Sequence, residues 1–185
     1  MRVRDLSRAG VQNDGTRGLF ESILPPEVEL AMRDWLSGTG GVGFVVIGGM
    51  ALSYHARPRM TQDIDVLYRS ESDVPGAVPG FTRTRPHAFQ HAATHVEVEV
   101  LTTGFIRSRP GVVDAVFATA SVVDGAAIAS PSGLVALKLA RHSMQDRADI
   151  VALIRTGRVD MVGFDLNETE TSRLSALREA ALEEH

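Results

Sequence analysis

The sequence predicts a mixed α/β (α+β) domain: a small mixed β-sheet flanked by helices, with further helices at the C-terminal end. Three observations lead there. An apolar run at 43–47 is followed by Gly48-Gly49 and a helical segment. The stretches 63–68 and 95–101 alternate apolar and acidic residues, as half-buried strands do. From Ser130 onward, capping residues and apolar spacing turn helical.

Taken in order, residues 1–20 are polar, without a clear period, and read as a loose arm. Pro25-Pro26 opens a helix to about residue 37, because proline suits a first turn. Val28, Leu30, Ala31, Trp35 and Leu36 supply its apolar face, and the stretch 37–41 breaks it. Residues 43–47 form a buried strand, Gly48-Gly49 the turn, and 50–56 a short helix ended by Pro58. Residues 63–68 are a second strand, and 70–80 a loop. Arg83–Gln90 and His95–Leu101 read as a hairpin, and 111–118 and 126–129 as short strands. Helices follow from Ser130, over 146–154, and over 167–184. This divides the chain into an arm (1–20), a core (21–129) and a helical part packed on it (130–185).

Composition narrows the function classes. With 185 residues and 44% apolar content the chain can bury a real core. Cysteine is absent, which excludes disulfides, thiolate metal sites and thiol nucleophiles. A net charge of −4 argues against nucleic-acid binding through global positive charge. The opening residues lack an apolar signal core, and the run 44–52 falls short of the ~20 residues a membrane span needs. A cytoplasmic protein with no membrane association is therefore expected. Lys138 is the only lysine among 19 basic residues, which marks a position where a compact ammonium is wanted.

The chemistry concentrates between 48 and 99. Asp63 and Asp65 stand one residue apart on a strand, so both carboxylates project to one side. Such a pair suits Mg²⁺, a hard ion that takes carboxylate and phosphate oxygens. Two ions ~4 Å apart can hold the attacking and leaving oxygens of an in-line displacement. A third acid from a neighbouring strand would complete the site, and Glu97 and Glu99 are the candidates. Gly48 and Gly49, between a strand and a helix, let backbone N–H groups approach a phosphate. Ser53 adds a hydroxyl one turn in, and Arg57, Arg59 and Lys138 offer charge for the phosphates. Singly, each feature has an ordinary structural explanation. Their order along the chain points to nucleotidyl transfer.

Other chemistries find less support. No Gly-x-Ser-x-Gly elbow supports Ser/His/Asp hydrolysis, and no Walker lysine follows Gly48-Gly49. His87, His91 and His95 are four apart, as zinc ligands on a helix would be. The alternating strand that begins at His95 argues against one helix there.

The motifs Gly48-Gly49-Met50-Ala51, Arg59-Met60-Thr61-Gln62-Asp63-Ile64-Asp65 and Glu99-Val100-Leu101-Thr102 resemble the nucleotidyltransferase superfamily, whose fold is related to DNA polymerase β. The nearest group in flavour is the AbiEii-type nucleotidyltransferases of toxin–antitoxin and abortive-infection systems. Ser130–Ala140 followed by Gln145-Asp146-Arg147-Ala148-Asp149-Ile150 resembles that group's lysine helix and Asp-x-x-Asp-Ile pattern. The resemblance covers about residues 43–155. It implies a nucleotidyltransferase fold with metals on Asp63, Asp65 and a third acid, Glu99, with Glu97 in reserve. It implies triphosphate binding at Gly48 and Gly49, with Ser53, Arg59, Thr61 and Lys138 around the nucleotide. The third acid is more often aspartate in that superfamily. Arg141 or Arg147 would replace the arginine often expected just before Asp146.

The leading expectation is an Mg²⁺-dependent enzyme, with two ions, moving NMP from an NTP to an acceptor hydroxyl. The toxin-like resemblance implies RNA such as tRNA, or protein, as acceptor, and a cognate antitoxin as partner. Arg83, Arg85, Arg107 and Arg109 would form a basic rim for RNA. One alternative is transfer to a small antibiotic. Another is a catalytically weak nucleotide- or partner-binding module.

Overall fold

The computed structural model describes residues 18–21, 24–56, 61–106 and 108–183. A 3-10 turn at Leu19–Glu21 precedes helix α1 (Pro26–Thr39). Strand β1 (Phe44–Val46), helix α2 (Gly48–His55) and strand β2 (Asp63–Tyr68) follow. Next come β3 (Phe81–Arg85), β4 (Ala88–His91) and β5 (Glu97–Thr102). Helix α3 (Pro110–Thr119), strands β6 (Ser121–Val123) and β7 (Ala126–Ile128), and helices α4 (Pro131–Arg141), α5 (Met144–Ile154) and α6 (Glu168–Glu183) complete the described chain. The fold is mixed α/β, as the sequence predicts.

All seven strands join one sheet in the order β3-β4-β5-β2-β1-β7-β6. Its centre is mixed, with β1 antiparallel to β2 and β2 parallel to β5. Hairpins β3-β4 and β6-β7 close the two edges. Strand alternation divides the faces. Val98 and Phe89 are register partners, and Phe89 meets the Trp35 ring of α1 edge-on at 5.2 Å. Trp35 also meets Phe81 at 5.1 Å, so α1 covers this face. The neighbouring positions on β2 and β5, Asp63, Asp65, Glu97 and Glu99, project to the opposite face.

Helix ends follow their cap chemistry. Pro26 starts α1, and Gly40 ends it in the left-handed conformation at φ 70°. The Ser130 hydroxyl accepts the Gly133 N–H at 3.0 Å to cap α4. Ser143 and Asp146 form a reciprocal capping box on α5.

The structure corrects several expectations. Residues 111–118 are not a strand but most of α3, which buries Val112, Val113 and Val116 on one side. Proline at its first turn was the competing signal. Arg83–Gln90 is not one strand but the β3-β4 hairpin, with Pro86-His87 at its turn. Gly48-Gly49 opens α2 rather than preceding it. On α1, Leu30 is 45% exposed, and Met32 takes its place in the core. The three histidines lie on the β3-β4 hairpin and the loop after it, not on one helix. His91 Nε2 meets Asp34 at 2.9 Å and its Nδ1 meets Thr94, while His87 stacks on Phe105. Arg57, Arg59, Arg107 and residues 1–17 of the arm lie outside the described residues. No helix among the described residues is long and apolar enough to cross a membrane.

His55 gives the fold a pH dependence. Its Nε2 lies 2.7 Å from the Ala129 carbonyl in a buried position. Burial holds its pKa at about 4, below the ordinary 6.5; the Ala129 hydrogen bond opposes this and the Arg158 charge adds to it. Above 6.5 both folded and unfolded states are neutral here, and the full stability is present. As pH falls from 6.5 toward 4, the unfolded chain takes up a proton that the folded one resists. Stability is expected to fall over that window, by up to ~3 kcal/mol from this group. Urea unfolding at pH 7 and 4.5 checks it, and His55→Gln should shrink the difference.

Candidate active site

Parallel pairing of β2 with β5 sets Asp63 beside Glu97 and Asp65 beside Glu99, residue for residue. The four acids therefore share one face. They do not share one environment. Asp65 and Glu99 line a cavity of about 470 Å³. Gly48 of α2, Ser108 before α3, and Lys138 and Arg141 of α4 form the rest of its polar wall. Ile47, Leu101, Phe105, Ile106, Leu134 and Leu137 form an apolar wall.

Asp65 is the centre of this arrangement. Its carboxylate lies against the N-terminus of α2 and accepts a hydrogen bond from the Gly49 N–H. Burial raises its pKa to about 6, and the charges of Asp63 and Glu99 push the same way. The Gly49 hydrogen bond opposes the rise, and the Asp65 and Glu99 carboxyl groups are within hydrogen-bond reach of each other. Crowded carboxylates of this kind are relieved by a cation. Among the described residues, no three acidic or histidine side chains are grouped so as to hold a metal by themselves. Mg²⁺ is commonly held by one or two carboxylates together with waters and substrate phosphates. The oxygen donors of Asp65 and Glu99 fit an ion bound in that way.

The glycine pair has a packing reason that the sequence did not disclose. A Cβ on Gly48 would lie 1.7 Å from Asp65 Oδ2, and its φ is +63°. A Cβ on Gly49 would meet Thr61 Oγ1 at 2.8 Å. The bare backbone thus lets Asp65 and Thr61 dock on the helix start. Gly48→Ala combines a positive φ with a steric clash, so it should cost roughly 2–4 kcal/mol and displace Asp65. Thermal melts, and loss of any Mg²⁺-induced rise in melting temperature, check both effects.

The other expected site residues fall into distinct places. Asp63 is exposed and outside the cavity wall, with its Oδ1 3.0 Å from the hydroxyl of buried Thr61. Thr61 also reaches the Asp63 carbonyl at 2.9 Å, so it braces the strand and is not on the cavity wall. Glu97 is tied to Arg85 and also stays off the cavity wall, which separates it from Glu99. Ser53 is buried and does not line the cavity.

Lys138 lines the cavity, but its ammonium is engaged below it. Nζ donates to Asp149 at 2.8 Å and to Asp146 at 3.3 Å, and both aspartates are fully buried. Arg141 grips Asp146 through Nε and Nη2 at 2.8 and 2.7 Å. Asp146 also accepts from the Ser143 N–H and hydroxyl, and Gln145 donates to Asp149. Burial alone would raise the Asp146 pKa, but the Arg141 and Ser143 hydrogen bonds and the Lys138 charge hold it well below the carboxylate range. Arg141 is the more accessible cation, with its side chain 69% exposed at the cavity edge.

The expected basic rim is not assembled among the described residues. Arg85 is paired with Glu97, Arg109 binds Asp165 and Glu170, and Arg83 lies over the Phe89 ring. Reading the residues by chemistry also missed the apolar wall. Phe105 was the available signal there, an aromatic just beyond the acidic strand in a chain with 5% aromatics.

A scan against protein-family models and a search of curated proteins each find no match to this chain.

Proposed function

We propose that the protein is an Mg²⁺-dependent nucleotidyltransferase. The observation that supports it is the facing of Asp65 and Glu99 across β2 and β5, beside the glycine-opened start of α2, in one cavity. An acceptor hydroxyl oxygen would bond to the α-phosphorus of an NTP while the bond to the pyrophosphate oxygen breaks, and the hydroxyl proton would pass to solvent. The ion, when bound, would neutralise charge on the phosphates. Asp65 and Glu99 would hold it, with Asp63 adding negative charge at the strand's start. Arg141 would meet the departing pyrophosphate, and Lys138 would keep α4 and α5 locked beneath the site. Of the predicted acids, Glu99 suits the third-carboxylate role better than Glu97, which is occupied by Arg85.

The test is incubation with each labelled NTP, Mg²⁺, and either total RNA or cell lysate. Label on RNA or protein supports the toxin-like reading of a cytoplasmic enzyme. Growth arrest on expression, relieved by a neighbouring gene, would extend that to an antitoxin partner. A second reading, transfer to a small acceptor such as an antibiotic, is favoured by the dispersal of Arg83, Arg85 and Arg109. Label on such a compound alone would select it. Nucleotide binding without label would mark a weak binding module. Label that survives Asp65→Ala refutes the proposed site.

A further inference from the structure

We propose that Phe105 is the surface on which the nucleobase stacks, with His87 bracing the ring from behind; this rests on the nucleotide reading of the cavity. Phe105 is a cavity-wall residue that stays 51% exposed. One side of its ring is covered by the His87 imidazole, at 4.6 Å between centroids and 29° between planes. A ring so backed is oriented, and it leaves its remaining surface for a flat aromatic partner.

Both members are held by backbone, not by chance packing. The Phe105 and Ile106 N–H groups each donate to the Thr102 carbonyl at 2.9 Å, a tight turn directly after β5. The Val100 N–H of β5 donates to the His87 carbonyl at 2.8 Å. Strand β5 therefore carries Glu99 into the polar wall and fixes Phe105 on the apolar wall with His87 behind it. His87 Nδ1 also lies 3.8 Å from the Glu71 carboxylate.

The cavity's division matches the ligand's. An NTP has an anionic tail and a flat, apolar-faced head. Asp65, Glu99 and Arg141 suit the tail with its cation, while Leu101, Phe105 and Ile106 lack charge and suit the head. Stacking on an aromatic is tolerant of base identity because every base has a π-face.

The experiment is titration of the full chain, with Mg²⁺, by ATP, GTP, CTP, UTP and inorganic tripolyphosphate. At least one NTP should bind the wild type more than ~5-fold tighter than tripolyphosphate. Phe105→Ala should weaken that NTP by ~5–150-fold and leave tripolyphosphate within about twofold. Phe105→Trp should retain NTP affinity, with indole fluorescence quenched by the NTP and not by tripolyphosphate. Unchanged NTP affinity in Phe105→Ala, or equal losses for both ligands, overturns the stacking role alone. Tripolyphosphate binding as tight as every NTP also overturns it while sparing the phosphate end. Binding of neither ligand by the wild type overturns the nucleotide reading, and the stacking role with it.

Discussion

Asparagine at position 65 is expected to abolish the proposed nucleotidyl transfer while making the ligand-free protein more stable at neutral pH. The two effects share one cause. Asp65 is pressed between burial, Asp63 and Glu99, which together raise its pKa to about 6. A group raised in the folded state lends its stability when protonated. That stability is full below the unfolded value of 3.8 and is lost as pH rises through about 6. Above pH 6 the ionised carboxylate is therefore a strain, and Asp65→Asn should relieve ~1–3 kcal/mol of it. The amide oxygen can still accept the Gly49 N–H. The gain should vanish near pH 4, where the wild-type group is itself neutral. Activity should fall by ~10³-fold or more, because several kcal/mol of charge stabilisation go with the ion. Mg²⁺ with an NTP should raise the melting temperature of the wild type and not of the variant. A destabilised Asp65→Asn at pH 7 would contradict the crowded-carboxylate picture.

Lys138→Met is expected to produce the largest loss of stability. It removes the ammonium that donates to Asp149 and Asp146, both fully buried. Asp146 keeps Arg141 and the Ser143 cap. Stripping one partner from a buried pair typically costs ~3–5 kcal/mol, because the remaining buried charge loses its counter-ion. For a chain of this size that is a drop of roughly 6–20 °C in melting temperature. Lys138→Met/Asp149→Leu should recover much of it, since the uncompensated charge is gone. Thermal melts of the two variants decide the matter. Equal stability of the single and double variants would show that the ammonium serves the cavity rather than the helices.

Much of the architecture was legible because local and long-range signals agreed. Strand β2 occupies 63–68 as its alternation predicts, and α4 starts at the Ser130 cap. Disagreement arose where local chemistry is ambiguous. Val112-Val113 and Val116-Phe117 favour extended backbone by propensity, yet they lie in α3, where Val112, Val113 and Val116 form the buried side. Leu30 looked like core until tertiary packing chose Met32. At the candidate site, Asp65 and Glu99 were readable from alternation. The separation of Glu99 from Glu97 was not, because it depends on Arg85 reaching across from another strand. Nor could one sequence show that Gly48 makes room for a carboxylate, since that contact spans two elements.

The residue-for-residue alignment of β2 with β5 has a consequence for how this chain can vary. Sliding either strand by one position would drive its acids under Trp35 and turn Ile64 or Val98 toward the hollow. Ionised groups resist such a dry setting, so the acids that line the cavity also veto the misaligned fold. Length changes in the segments leading into either strand are thus tolerable only if the loops absorb them whole. Drift among descendants of this protein should accumulate in loop lengths, leaving the pairing of Asp63–Tyr68 with Glu97–Thr102 untouched.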